Sequence, residues 1–573
     1  MNIRRLPFRL PASSLLCAAV SASALLTTLP AAADDIGSAR ITVPTKAPRF
    51  FGPQYVSALK APLPLSVTQI FATTPSYLAQ YDSFSNDAGM LGHWQVNGPL
   101  VTKGNAFFQS LGSNGRTCVT CHQPANAMTV DLDHINTRFW LTAGRDPLFA
   151  PVDGANCPNN VPSADTAPSL LGGRRGGSLR SREAAHSLLL TRGVFRIFLP
   201  VPLKTVGGTP HDVEFTVKVI SDPTTCNTDP AYATATDPTT GEQRQIISVY
   251  RRPRMSSNLL FATSTLANVD GSGFPPIDLF GSGDPLGVDK YGKFVSGNIM
   301  WDGREPTLES QAFDATMGHA QATTAPTTAQ IDEIVAFERQ VFSAQIYSRN
   351  ARDLTSGTPT LPVNGGPKWL AGQPLAAAIP ADGSLKLYGN WDVTNPVGGI
   401  AQARAAIARG EKLFNTRQFT IANVAGFNSV PAIGNNAPGT CATCHNQTGS
   451  GNDTLPFAQR DVGIGGHSAQ FNGPALATDL PVFEVSCKPG FSTAFGGSVV
   501  RTNDPGKALI TGKCADVGAR TVPQMRGLAA RAPYFSDGSA TTLRKVVDIY
   551  NKRFSIGFTP QEKDDLVAFM KAL

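Results

Sequence analysis

Two short runs carry the side chains best suited to covalent chemistry: Thr117-Cys118-Val119-Thr120-Cys121-His122 and Thr440-Cys441-Ala442-Thr443-Cys444-His445. In each, two thiols three residues apart sit on one turn, and a histidine follows directly. That spacing lets the thiols form thioethers with the two vinyl groups of one porphyrin and places the histidine beneath the iron as proximal ligand. A structural zinc site would need a second Cys/His pair close by in sequence, and neither run has one. A thioredoxin-like dithiol would sit in a βαβ context, and that pattern is absent too. The reading is therefore two covalently attached c-type haems, one held by Cys118, Cys121 and His122 and the other by Cys441, Cys444 and His445.

The rest of the chain reads as the framework for such groups. Arg4, Arg5 and Arg9 precede a small, apolar stretch from Leu15 to Leu26 and the triplet Ala31-Ala32-Ala33, the pattern of a cleaved export signal over residues 1–33. That stretch is short for a membrane span, which needs about 20 strongly apolar residues, and no later segment resembles one. The expected location is periplasmic or secreted. A formal charge of +7 is not concentrated in any Lys/Arg cluster, so nucleic acid is not an expected partner. Gly (54) and Pro (44) together are abundant and predict a loop-rich chain. Of nine cysteines, Cys17 lies in the leader and four in the haem motifs. The remaining Cys157, Cys226, Cys487 and Cys514 suit disulfides in an exported protein. Of the three possible pairings, Cys157–Cys226 and Cys487–Cys514 keep each bridge within one haem-bearing half.

The predicted fold class is mainly α with a β-rich insertion: two cytochrome c-like haem domains packed together. Residues 34–90 read as an extended N-terminal segment. A first haem domain follows over 91–350, with the β-rich insertion at about 131–250. Residues 351–397 read as a linker, and 398–573 as the second haem domain. Helices are predicted over Lys103–Leu111, Ile331–Tyr347, Ala401–Phe414, Thr541–Lys552 and Thr559–Leu573, the last opened by a Thr559/Glu562 capping box. Ser187–Val201 and Glu214–Ile220 read as strands.

Beyond the haem motifs, the chain contains Trp301-Asp302-Gly303-Arg304, Thr307-Leu308-Glu309-Ser310-Gln311, Val522-Pro523-Gln524-Met525-Arg526-Gly527 and Ala532-Pro533-Tyr534-Phe535-Ser536-Asp537-Gly538. In this order, and with both CxxCH runs, they resemble the bacterial di-haem cytochrome c peroxidase and MauG superfamily. The long stretch between His122 and Trp301 is closer to its larger, rubber-oxygenase-like members. The resemblance implies an N-terminal haem that reacts with hydrogen peroxide or dioxygen and a C-terminal haem that exchanges electrons with it. It implies Trp301 as the residue between the haems and Gln311 as a residue of the reacting pocket. It also implies a small cytochrome or other periplasmic electron donor, an organic or protein substrate, and calcium between the haem domains, although no acidic loop specifies calcium.

Three positions depart from the pattern. Where peroxidases carry a distal glutamate, twenty residues beyond the tryptophan, this chain has Gln321, which can hydrogen-bond but cannot serve as a general base; His319 is a possible substitute. Where several relatives have a ligating histidine, this chain has Ser536. Fourteen residues further on lies Tyr550, at the position of a tyrosine ligand in MauG-type enzymes, with Met525 and His467 as lesser candidates. A phenolate ligand favours Fe(III) by donating negative charge. Finally, the nearest histidine after the first motif is His134, whose surroundings do not match the family's displaced distal ligand, so the first haem is expected to be open on its reacting side. The expected function is a haem oxidoreductase with Trp301, Gln311, His319 and Gln321 as catalytic candidates. The alternative is a di-haem electron carrier with no chemistry of its own.

Overall fold

The computed structural model describes residues 76–161, 177–201, 213–236, 241, 243–265, 295–356, 365–375, 385–466, 472–494 and 496–573. The expected leader, most of the N-terminal segment and His467 lie outside the described residues. The elements that position the haem motifs are, in chain order, β1 (Tyr81–Asn86), β2 (Gly89–Gln95), α1 (Leu132–Thr142), α2 (Ser187–Arg192), β3 (Phe195–Val201), β4 (Phe215–Ser221), β5 (Gln243–Arg251), α3 (Leu308–Gly318), α4 (Thr328–Gln340), β6 (Val341–Ser348), α5 (Gly399–Thr416), β7 (Val482–Cys487), β8 (Val499–Thr502), α6 (Leu543–Arg553) and α7 (Pro560–Lys571).

The described residues are mixed helix and sheet, with six small sheets. Strands expected to be confined to the insertion are spread along the chain. β6 pairs antiparallel with β2, and β2 with β1, so residues soon after the N-terminal segment are fixed against residues after α4. β3 pairs with β5. β4 pairs with β7, with Val217 opposite Val485, and β8 continues that sheet. Strand pairing thus ties the insertion to the C-terminal third of the chain.

Several local expectations are corrected. Ser187–Arg192 is a helical turn rather than strand: its leucines point into the protein, and Gly193 ends it at φ +63°, a left-handed conformation natural to glycine. The helix predicted over Ile331–Tyr347 stops at Gln340, where the β-branched and aromatic residues of Val341–Ser348 enter the β2 sheet. Lys103–Leu111 keeps only one 3-10 turn, Ala106–Phe108, capped by Asn105 and held by Glu333, which accepts from the Ala106 amide at 2.7 Å. Its two phenylalanines pack on Phe337 of α4, with ring centroids 4.6 and 4.9 Å away.

The C-terminal helices form as predicted. Thr559 caps α7 and Glu562 closes the capping box. α5 crosses α7 at Gly410, where a Cβ would lie 2.0 Å from the Asp565 carbonyl oxygen. Phe414, Leu543, Val546, Val547, Leu566 and Phe569 form the core between α5, α6 and α7. Gly410→Ala is expected to force these helices apart and cost about 1–3 kcal/mol, the usual range for overpacking. A lowered urea midpoint with unchanged slope checks this. Both expected disulfides are present, Cys157–Cys226 and Cys487–Cys514. Among the described residues, no helix is long and apolar enough to cross a membrane.

Candidate haem-binding centres

The two CxxCH runs adopt the same local structure. Each pair of cysteines spans a single 3-10 turn, Cys118–Thr120 or Cys441–Thr443, with a threonine before it and a threonine as its third residue. The second threonine's hydroxyl accepts from the first threonine's amide, at 3.0 Å for Thr117–Thr120 and 2.9 Å for Thr440–Thr443. This reciprocal capping turns both thiols to one side, and both runs contain the Thr-Cys-x-Thr-Cys-His pattern that encodes it.

The histidines are held alike as well. His122 Nδ1 lies 2.8 Å from the Met128 carbonyl oxygen, and His445 Nδ1 lies 2.7 Å from that of Gly451, six residues on in each case. A backbone acceptor fixes Nδ1 as the protonated nitrogen and leaves Nε2 to ligate a metal, the usual arrangement behind a metal-bound imidazole. Burial pushes the His122 pKa down to about 4 and lowers that of His445, so both rings are neutral, as ligation requires. Ser256 Oγ lies 2.9 Å from His122 Nδ1, and the Ser256 hydroxyl also hydrogen-bonds the carboxyl of Glu338, whose pKa burial raises to about 8.

None of the four motif cysteines is in a disulfide. Burial raises the Cys441 and Cys444 pKa values to about 12 and about 11 and pushes Cys118 higher.

The second motif opens onto a cleft of about 1780 Å³, counted to its open mouth and lined by Cys441, Cys444, His445, Phe414, Trp301, Met525, Ser536 and Tyr550 among others. Its walls are largely apolar, as a porphyrin face needs, yet Arg252, Arg254 and Arg531 also line it. Burial brings each of their pKa values down to about 10, and Arg531 adds to the lowering at the other two by like-charge repulsion. Arg531 Nε is buried without a hydrogen-bond partner. A pocket combining two thiols, one imidazole whose Nδ1 is held by a backbone carbonyl oxygen, apolar walls and under-neutralised guanidinium groups fits haem c and its two carboxylates.

Tyr550 sits on α6 and faces this cleft, packed against Phe535 (6.0 Å between centroids) and stacked on Phe554 (6.2 Å). Burial, then the neighbouring Cys444 and Cys441, push its phenol pKa up, so only a bound cation would draw off its proton. Met525 and Ser536 share the cleft.

Trp301 is fixed from two sides. Its Nε1 donates to the Arg252 carbonyl oxygen at 2.7 Å, and the Arg254 guanidinium lies 5.5 Å from its ring centroid. The stretch Arg252–Ser256 runs from this hydrogen bond to Ser256 at His122, so Trp301 and the first histidine are joined through five consecutive residues.

The other candidates lie near the first motif or at the surface. Gln311 is in the first turns of α3, its amide donating to the Thr307 carbonyl oxygen at 3.1 Å. His319 caps the end of α3, its Nδ1 2.7 Å from Asp153 Oδ2. Gln321, at φ +54°, is held against the loop before Cys118, where the Ser113 amide donates to its carbonyl oxygen at 3.1 Å. His134 lies in the first turn of α1, bonded to Asp131 at 2.9 Å, its side chain 44% exposed. Asp153, Ser256 and the arginines of the cleft are not marked by any local motif. Among the described residues no three His, Cys, Asp or Glu side chains gather as a metal-ligand set, so the structure adds nothing to the calcium that the resemblance implies.

No family model matches the chain. A solved structure, the crystal structure of a MauG-like protein associated with microbial copper homeostasis, aligns with 51% of this chain and 77% of its own at 20% identity, with a TM-score of 0.25. The curated cytochrome-c peroxidase IdrP2 of Denitromonas iodatirespirans is 31% identical over 143 residues, which are 24% of this chain and 36% of that protein. The chain thus matches about a third of that relative's length, and over this stretch it is similar to a cytochrome-c peroxidase.

Proposed function

We propose that the chain is an exported haem c oxidoreductase of the cytochrome c peroxidase and MauG superfamily, with one haem on Cys118, Cys121 and His122 and a second on Cys441, Cys444 and His445. The observation that carries this reading is the repeated Thr-Cys-x-Thr-Cys-His turn with its histidine Nδ1 on a carbonyl oxygen six residues on. The similarity to a cytochrome-c peroxidase supports it. The first haem is the reactive one, towards hydrogen peroxide or dioxygen. The second exchanges electrons with it, and a periplasmic cytochrome or similar donor feeds the pair.

A c-type haem supplies an iron that can bind peroxide or dioxygen and pass electrons. The protein's part is positional. Met128 and Ser256 hold His122 in one tautomer, and Ser256 links it to Glu338, which strengthens the imidazole as a donor. Arg252, Arg254 and Arg531 offer donors to haem carboxylates in the second cleft. Trp301 supplies an aromatic ring on the wall of that cleft and is bonded to Arg252, four residues before the Ser256 that touches His122. Gln311, His319 and Gln321 form the reacting side of the first haem in this reading.

Optical and EPR spectra before and after peroxide addition test the reading. A high-spin component that peroxide converts is the expected result; two low-spin haems, indifferent to peroxide and carbon monoxide, mean an electron carrier instead. Tyr550, which lines the same cleft as Cys441, Cys444 and His445, would supply a phenol oxygen to the iron of a haem held there. Tyr550→Phe is then expected to alter the low-spin EPR signal alone and to raise that haem's reduction potential by on the order of a tenth of the ~0.8 V range that axial ligands span. An unchanged low-spin signal assigns Tyr550 to packing.

A further inference from the structure

Gln321 cannot move a proton, yet the chain brings a different acid–base group to the same loop. His319 Nδ1 lies 2.7 Å from Asp153 Oδ2. Asp153 comes from the insertion, far from His319 in sequence, and its side chain is 1% exposed. Arg116 Nη1 fixes the same carboxylate oxygen at 3.0 Å and donates to the His319 carbonyl oxygen at 3.2 Å. Arg116 is itself immobilised: its Nε donates to the Pro147 carbonyl oxygen, and its Nη2 to those of Leu148 and Ala150, at 3.0–3.1 Å. Asn114 Nδ2 holds the His319 carbonyl oxygen at 2.8 Å and the Gln321 side-chain oxygen at 3.3 Å. The residues around the imidazole are therefore anchored to one short loop, which leads in two residues from Arg116 to Cys118.

We propose that Asp153 and Arg116 are positioning residues that hold His319 as the acid–base group of the haem on Cys118 and Cys121. This rests on the proposed function above. Asp153 accepts the Nδ1 proton of His319, which leaves the Nε2 lone pair free, the tautomer a general base needs. The Asp153 side chain is 1% exposed while that of His319 is 37% exposed, so the imidazole joins a buried carboxylate to accessible surface. The group is also close to the first motif: Arg116, whose Nη1 donates to the His319 carbonyl oxygen at 3.2 Å, stands two residues before Cys118.

The step is a proton transfer that returns His319 to its starting state. Nε2 would take a proton from one oxygen of hydrogen peroxide and deliver it to the other, which already carries one hydrogen and would leave as water when the O–O bond breaks. A haem held by Cys118 and Cys121 would supply the two electrons that reduce the bond; His319 supplies none. The charged and titratable groups that face His319 are Asp153, Arg116 and, more distantly, His122. A general base acts only in its unprotonated form, so the peroxide rate is expected to rise with pH across the measured range.

The experiment measures the bimolecular rate of the haem-loaded protein with hydrogen peroxide, by stopped flow across pH 5 to 9, alongside cyanide binding. His319→Gln is expected to lower the peroxide rate about 10²–10⁴-fold and to abolish its pH dependence, with cyanide affinity and resting spectra retained. Asp153→Asn is expected to lower the rate less, because the imidazole stays in place but loses the carboxylate that accepts its Nδ1 proton. Because Asp153 is buried, that variant can fail to fold; the partly exposed His319→Gln then decides alone. A wild-type rate and pH profile in His319→Gln would overturn the proposal while leaving the peroxide reaction intact. A wild-type protein that does not react with peroxide at all would overturn the function reading beneath it.

Discussion

Replacing Arg251 by Met is expected to destabilise the protein by about 3–5 kcal/mol, the cost of leaving buried charges without their partner. Arg251 closes β5 and binds two carboxylates at once: Nε and Nη2 grip Asp504 at 2.7 and 2.9 Å, and Nη1 meets Asp302 at 2.5 Å. Its side chain is 2% exposed, and those of Asp302 and Asp504 are 0% and 7%. Removing the cation leaves two carboxylates in low dielectric with only Arg304, at 3.1 Å from Asp302, and Arg520, at 3.4 Å from Asp504. Burial alone would raise the pKa of both acids, but Arg251 with Arg520 at Asp504, and Arg304 with Arg251 at Asp302, reverse it and hold both below the usual carboxylate range.

The sign of the pH effect follows. An acid whose folded pKa is depressed contributes stability that is present above its unfolded pKa of ~3.9 and is lost as pH falls through the folded value. The wild type should therefore lose stability on acidification below about pH 4. Arg251→Met should lose that dependence, because its buried carboxylates then gain from protonation. Denaturant midpoints at pH 7 and about pH 3 check both points. A variant as stable as wild type at pH 7 would contradict the assignment. The result also bears on the Trp-Asp-Gly-Arg block: here its Asp302 and Arg304 belong to this network, which sets the backbone that carries Trp301 beside Arg252.

The double substitution Cys118→Ala and Cys121→Ala is expected to remove one covalent haem of two and with it nearly all reaction with peroxide. The second haem should remain, because Cys441, Cys444 and His445 sit in a separate turn and a separate core built on α5, α6 and α7. The matching substitution of Cys441 and Cys444 should leave a first haem that still binds cyanide but turns over slowly for want of its electron partner. Haem content by pyridine haemochrome, per mole of protein, reads both variants. Retention of two haems in either one would contradict the attachment.

Much of this arrangement was legible in the residues. The CxxCH runs, the helices after Ala401 and both disulfides depend on local spacing, capping and cysteine count, and they appear where expected. Even the repeated threonines that cap the two turns stand in plain view. The errors arise where distant segments decide. Ser187–Arg192 carries three leucines that suit strand or helix equally, and Gly193 with the packing around Leu189 selects the helix. Val341–Ser348 continues an apolar helical period by chance and becomes a strand because β2 offers it a ladder. The pairing of β4 with β7 joins residues more than two hundred apart in sequence, which no periodicity encodes. The Asp153–His319 pair and the arginines of the second cleft are likewise products of tertiary contact: each residue alone looks like an ordinary surface charge.

The central claim is two covalent haems on one exported chain, and the intact mass of the purified protein under denaturing conditions tests it most directly. The expected mass is that of the chain without its leader plus two haems, unchanged by acid–acetone extraction, since thioethers survive it. A mass equal to the polypeptide alone, with four alkylatable thiols at Cys118, Cys121, Cys441 and Cys444, would contradict the account.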